Sequence, residues 1–164
     1  MQGSGEVADA GPTPEGYGLV DAVLAASQMM VAVAARSLDT TASDVTLPQF
    51  RVLVMLSVRG AQRPGDVAAD LAVEPSTATR MCDRLVRKEL VSRRHSSQDR
   101  RTVVVELTPA GQELVRTVMH RRRLEFERLA AAVPAEQHEA LISALGVLIQ
   151  ASGAQPDRDW ALRA

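Results

Sequence analysis

The chain has 164 residues, of which 46% are hydrophobic and 24% charged, and its formal net charge is −1. That balance excludes wholesale disorder and suits one domain, or one domain with a dimerisation extension. No run of 18 uninterrupted apolar residues occurs, which argues against a membrane span, and two Phe, one Tyr and one Trp are too few for single strands to be bound by stacked aromatics.

Residues 1–16 read as a tail punctuated by Gly and Pro, without the basic and apolar regions of a signal peptide. From Tyr17 to Leu38, Val20, Leu24, Ser27, Val31, Ala34 and Leu38 recur at steps of four and three. This is an a/d seam on a helix, and it suits either an ordinary core helix or one that meets a partner helix from a second chain. Pro48, Pro64 and Pro75 open three further helices, the last running to about Lys88. Proline is preorganised for a first helical turn and loses no needed N–H there. Leu90–Arg94 and Thr102–Leu107 read as two strands around a polar loop, a hairpin with a charged tip. Thr108-Pro109 caps a long helix to about Ala132, and Pro134 opens the last, with Leu141, Leu145 and Leu148 at seam spacing. The order predicts a mainly α (α+β) fold, a winged helix-turn-helix with N- and C-terminal dimerisation helices. Its segments are a tail (1–16), a dimerisation helix (17–47), the winged region (48–111), dimerisation helices (112–152) and a C-terminal tail (153–164).

The near-neutral charge is an average. Residues 80–101 carry eight basic side chains against three acids, a local +5, whereas residues 1–50 carry −5. A basic block of this kind has the electrostatics of a phosphate-binding surface. On a helical wheel Ala78, Met81, Cys82 and Leu85 face inward, while Ser76, Arg80, Asp83, Arg84 and Arg87 cluster opposite, flanked by Thr77 and Thr79. Hydroxyls near a helix N-terminus followed by arginines one and two turns on suit a recognition helix in the major groove. Arg93, Arg94, Arg100 and Arg101 frame the wing, and Asp99 stands two residues before Arg101, where it can orient a guanidinium for the minor groove.

The run Gly65 to Arg80, with Asp83-Arg84-Leu85, Leu90-Val91, Asp99-Arg100-Arg101 and Leu107-Thr108-Pro109-Ala110-Gly111, resembles the MarR family of bacterial transcriptional regulators. The resemblance implies a homodimer with interleaved terminal helices that places two recognition helices in successive major grooves of a pseudo-palindromic double-stranded DNA operator. It implies repression, released by a small amphipathic or phenolic effector or by thiol oxidation. Ser76, Thr77, Arg80 and Arg84 match the recognition-helix contacts, and Asp99 and Arg101 the wing pair; Thr79, Arg87, Arg94 and Arg100 complete the expected DNA-binding set. Met29, Met30, Phe50 and Arg51 are the expected effector residues. At two positions the chain departs from the family pattern: Ala72 and Glu89 stand where glycine usually supplies a left-handed backbone, so either local repair or altered turns are expected.

Cys82, on the inward face, reads as buried and inert; as the lone cysteine it makes no internal disulfide, and a cytoplasmic protein is expected. His95, His120 and His138 lack metal-ligand spacing, and Arg121-Arg122-Arg123 reads as a solvated, ion-paired helix face. No phosphate loop, nucleophile elbow or carboxylate pair is visible, so neither enzyme nor cofactor is expected. The alternative from another class is a winged-helix module that acts by protein contact without DNA.

Overall fold

A computed structural model describes residues 18–39, 44–95 and 101–153. The expected N-terminal tail, all but the first residue of the C-terminal one, and the wing tip with Asp99 and Arg100 lie outside these residues. The chain forms two compact units, the first ending at Ala32 and the second starting at Val33.

Helix α1 spans Leu19–Asp39. In its part up to Ala32 the seam positions Val20, Leu24 and Val31 are exposed, as are Leu19, Met29 and Met30. Over Leu19–Leu38 the mean hydropathy reaches 1.5, so this helix is long and apolar enough to cross a membrane by length and composition. That corrects the exclusion drawn from uninterrupted runs. Ser27 and Gln28 interrupt the sequence but hardly lower the average, and the Ser27 hydroxyl satisfies itself by donating to the Leu24 carbonyl at 2.7 Å.

In the second unit the last turns of α1 bury Val33 and Leu38. Helix α2 (Leu47–Arg59) has Pro48 in its first turn, and the N–H of its cap residue, Thr46, donates to Gln49 Oε1 at 3.2 Å. It stops at Gly60, where φ is +72°. Gln62 then pairs with Val105 through N–H···O bonds of 2.9 and 2.8 Å, adding a one-residue third edge to the wing. Helices α3 (Pro64–Leu71) and α4 (Pro75–Arg87) make the helix-turn-helix. Strands β1 (Val91–His95) and β2 (Val103–Leu107) pair antiparallel, with Val91 opposite Leu107 and His95 opposite Val103. Helix α5 (Pro109–Ala131) follows; a 3-10 turn at Ala135–Gln137 leads to α6 (His138–Ala151).

One core joins these elements. Phe50, Leu53 and Leu56 of α2 meet Val67 and Leu71 of α3, Ala78, Cys82 and Leu85 of α4, Val91 and Val105 of the wing, and Val115 and Val118 of α5. The alternation of buried and solvent-facing positions along α4 is what the wheel predicts: its apolar stripe anchors the helix and leaves the opposite face to water. Helix α6 buries nothing, and Leu141, Ile142, Leu145, Val147, Leu148 and Ile149 are all exposed.

Ala72 and Glu89 both adopt left-handed backbone, with φ of +52° and +58°. The chain therefore neither repairs nor avoids these conformations. Each residue closes a Schellman cap: Val73 N–H donates to the Ala68 carbonyl at 3.0 Å, and Leu90 N–H to the Leu85 carbonyl at 3.1 Å. The second cap also sets Leu90 beside Leu85 in the core, a hydrophobic contact that offsets the left-handed cost.

Candidate nucleic-acid interface

Helix α4 begins with Pro75, and the Thr77 and Ala78 N–H groups bond back to the Glu74 carbonyl at 2.8 and 3.1 Å. Ser76, Thr79, Arg80, Arg84 and Arg87 are exposed together on its outer side, with Thr77 half-buried at the edge. Arg80 is preset along the helix, its Nε donating to the Ser76 carbonyl at 3.2 Å and its Nη2 reaching the Ser76 hydroxyl at 3.4 Å. The Thr79 hydroxyl donates to the Pro75 carbonyl at 2.9 Å. Arg84 and Arg87 have no ion-pair partner among the described residues. Their charge faces solvent, where it costs little to exchange water for phosphate.

The wing arginines are arranged differently. Arg93 Nη2 lies 2.5 Å from Asp83 Oδ1 of α4, and Arg94 Nε lies 2.6 Å from Glu106 Oε2 across the hairpin. Arg101 is exposed at the start of the return strand. Of the expected set, therefore, the α4 residues come together and Arg94 is held within the wing, while Asp99, the expected partner of Arg101, and Arg100 lie outside the described residues. Of the expected effector residues, Met29 and Met30 are exposed in the first unit; in the second, Arg51 is exposed on α2 and Phe50 is buried in the core.

Three features escape the sequence reading. First, a junction locks the α4 cap to α5: the Thr108 hydroxyl donates to the Glu89 carbonyl at 2.6 Å, and the Thr108 N–H to the Leu90 carbonyl at 3.1 Å. The Thr108 hydroxyl also caps α5 by accepting from Gly111 N–H at 3.1 Å. The Leu-Thr-Pro-Ala-Gly run is its sequence signal. Second, Lys88 at the end of α4 bonds the Asp44 carbonyl, tying the helix to the segment that precedes α2. Third, Arg122 is not part of a solvated face. Its guanidinium sits 5.8 Å from the Phe50 ring centroid, its Nε is buried without a hydrogen-bond partner, and burial lowers its pKa. Its neighbours do behave as expected: Arg123 pairs with Glu127 and Arg128 with Glu125, each at 2.9 Å.

Cys82 is fully buried under α4. Burial pushes its thiol pKa up; nearby Asp83 adds to this, and Arg93 and a backbone hydrogen bond oppose it. The protonated thiol packs as a small apolar group.

The winged helix-turn-helix thus presents an exposed basic face on α4, and comparison with known proteins gives it a lineage. A family model described as the MarR family matches residues 45–103. The HTH-type transcriptional regulator YfiV of Bacillus subtilis is 32% identical over 108 residues, covering 66% of this chain and 68% of YfiV. The chain belongs to the MarR family. It is a transcriptional regulator with the DNA-binding winged-helix fold of that family. Among MarR-like structures, RV1404 from Mycobacterium tuberculosis is 36% identical with a TM-score of 0.77, covering 85% of this chain and 95% of that one. The transcriptional repressor MdtR of Bacillus subtilis is 32% identical over 93 residues, 57% of this chain and 60% of MdtR.

Proposed function

We propose that this MarR-family protein is a homodimeric repressor of a pseudo-palindromic double-stranded DNA operator. Each subunit lays α4 in a major groove and reaches a minor groove with its wing. The observation that carries this reading is the outer face of α4, where Ser76, Thr79, Arg80, Arg84 and Arg87 are exposed side by side. The hydroxyls and Arg80 lie at the end that enters the groove and suit base edges; Arg84 and Arg87 lie further along and suit phosphates. Arg101 completes the surface from the wing. Repression is the activity named for the similar MdtR.

Dimerisation is supported by the apolar surface of single chains. Leu19, Val20, Leu24 and Val31 on α1 and Ile142 and Val147 on α6 are more than half exposed. Soluble monomers rarely leave such contiguous stripes uncovered. A second copy is the cover that also explains why α1 has the hydropathy of a membrane helix while bearing a heptad-like seam. Release by a small amphipathic or phenolic effector extends the reading.

The test is direct. A duplex of about 30 base pairs, enriched from a random pool by the wild-type protein, is titrated by fluorescence anisotropy across salt concentrations. Affinity should fall linearly in log–log form, with a slope of about −0.9 for each phosphate neutralised. The Arg84→Ala, Arg87→Ala double variant should bind at least tenfold more weakly with a shallower slope. A folded wild-type protein that enriches no duplex, or full-strength binding by the double variant, overturns the proposal. Sedimentation should give twice the 17.6 kDa chain mass.

A further inference from the structure

We infer that Arg93 is a positioning residue for DNA binding: it cancels Asp83 and braces the wing against the recognition helix, and it does not contact phosphate. The inference rests on the proposed use of α4 and the wing for DNA.

Along β1, Val91 and Arg93 share one face while Ser92 and Arg94 share the other. Val91 is in the core, so Arg93 leaves the strand on the side packed against α4. There its Nη2 meets Asp83 Oδ1 at 2.5 Å, with each side chain about two-fifths exposed. Asp83 is the single acid in α4, and it stands among Arg80, Arg84 and Arg87. Left alone, a carboxylate at that place would repel the phosphates its neighbours attract. Arg93 removes the repulsion and, because its partner belongs to another element, fixes the wing's angle to the helix. The adjacent Arg94 is likewise engaged, with Glu106. Two of the four arginines that frame the wing are thus neutralised inside the protein, and on α4 the charge left to phosphate is that of Arg84 and Arg87.

The test uses the full-length protein and the enriched duplex. Arg93→Gln should weaken binding by about fivefold per subunit, the upper end for a partly exposed ion pair, while leaving the log–log salt slope unchanged. Loss of a phosphate contact would instead reduce the slope by about 0.9 per subunit. In an Asp83→Asn background, Arg93→Gln should cost less than twofold, because the partner is already gone. If Arg93→Gln does not fold, Arg93→Lys, which keeps a charge within reach of Asp83, supplies the reading: wild-type slope and near wild-type affinity are expected. A reduced slope in either variant, or an undiminished effect of Arg93→Gln in the Asp83→Asn background, overturns the inference. Failure of the wild-type protein to bind any duplex would overturn the DNA-binding proposal instead, so the two failures are distinguishable.

Discussion

Gly111→Ala should be among the most damaging single-methyl changes in the protein. Gly111 lies in the first turn of α5, where the helix backbone crosses the α4–β1 junction. A Cβ built there falls on the Leu90 carbonyl oxygen, well inside contact distance, and also lies 3.1 Å from the Leu90 carbonyl carbon and 3.0 Å from Leu107 Cδ2. The nearest obstacle is a backbone oxygen, so swinging the Leu107 side chain away does not relieve the clash. The α5 turn must move, and with it go the Thr108 bonds to the Glu89 and Leu90 carbonyls. Two hydrogen bonds at about 1 kcal/mol each and an overpacking cost of about 1–3 kcal/mol oppose a gain of about 1 kcal/mol from alanine's helix propensity. The net is a loss of about 3 kcal/mol, equivalent to a melting-temperature drop of roughly 6–12 °C for a chain of this size. Calorimetry at fixed protein concentration measures it, since the melting temperature of the proposed dimer would depend on concentration. Gly65→Ala is the control: nothing lies within 4 Å of its added carbon, and it should be neutral or slightly stabilising. A Gly111→Ala protein within about 1 kcal/mol of wild type would refute the reasoning.

Three further outcomes follow from the structure. Ala72→Gly and Glu89→Gly should each raise stability by roughly 0.5–1 kcal/mol, the left-handed cost relieved less the added freedom of glycine in the unfolded chain; denaturant titration would show the midpoint rising, and a fall would mean the strain argument fails. Cys82 should resist thiol reagents in the native state at neutral pH. Its folded pKa is raised above the unfolded value, so its contribution is fully present below the unfolded pKa and is lost as pH rises through the folded one; alkaline destabilisation should therefore be weaker in Cys82→Val, and an identical pH profile would contradict this. Arg122→Met should hold or raise stability by up to about 1 kcal/mol, because the orphaned Nε costs about 1–3 kcal/mol and the contact with Phe50 returns about 0.5–2; clear destabilisation in a thermal melt would show that the ring contact wins.

Much of the architecture was legible because local chemistry announces it. Pro48, Pro64, Pro75 and Pro109 each stand in the first turn of a helix, and the apolar period of α4 separated its two faces correctly. What was missed depends on contacts between segments distant in sequence. Leu90 was expected to begin a strand, but its N–H closes the α4 cap instead. Gln62 joins the wing by one bridge, too short to have a period. Arg122 was judged by its helical neighbours, and its partner ring comes from α2. Arg93 and Arg94 count as wing charge in the sequence because nothing local identifies Asp83 and Glu106 as their partners. The shared outer face of Ser76, Arg80, Arg84 and Arg87 was legible because they all lie on one helix; the Arg93–Asp83 pair joins two elements.

The two left-handed caps on either side of α4 have a consequence for motion. Glycine at such joints would act as a swivel, since it crosses between backbone basins at little cost. Alanine and glutamate have far fewer states to visit there, and each joint is further clamped by its cap bonds. The recognition helix is thus mounted rigidly at both ends. In the proposed reading, a signal that lifts it from a groove must carry the whole winged unit along, as a lever carries its blade.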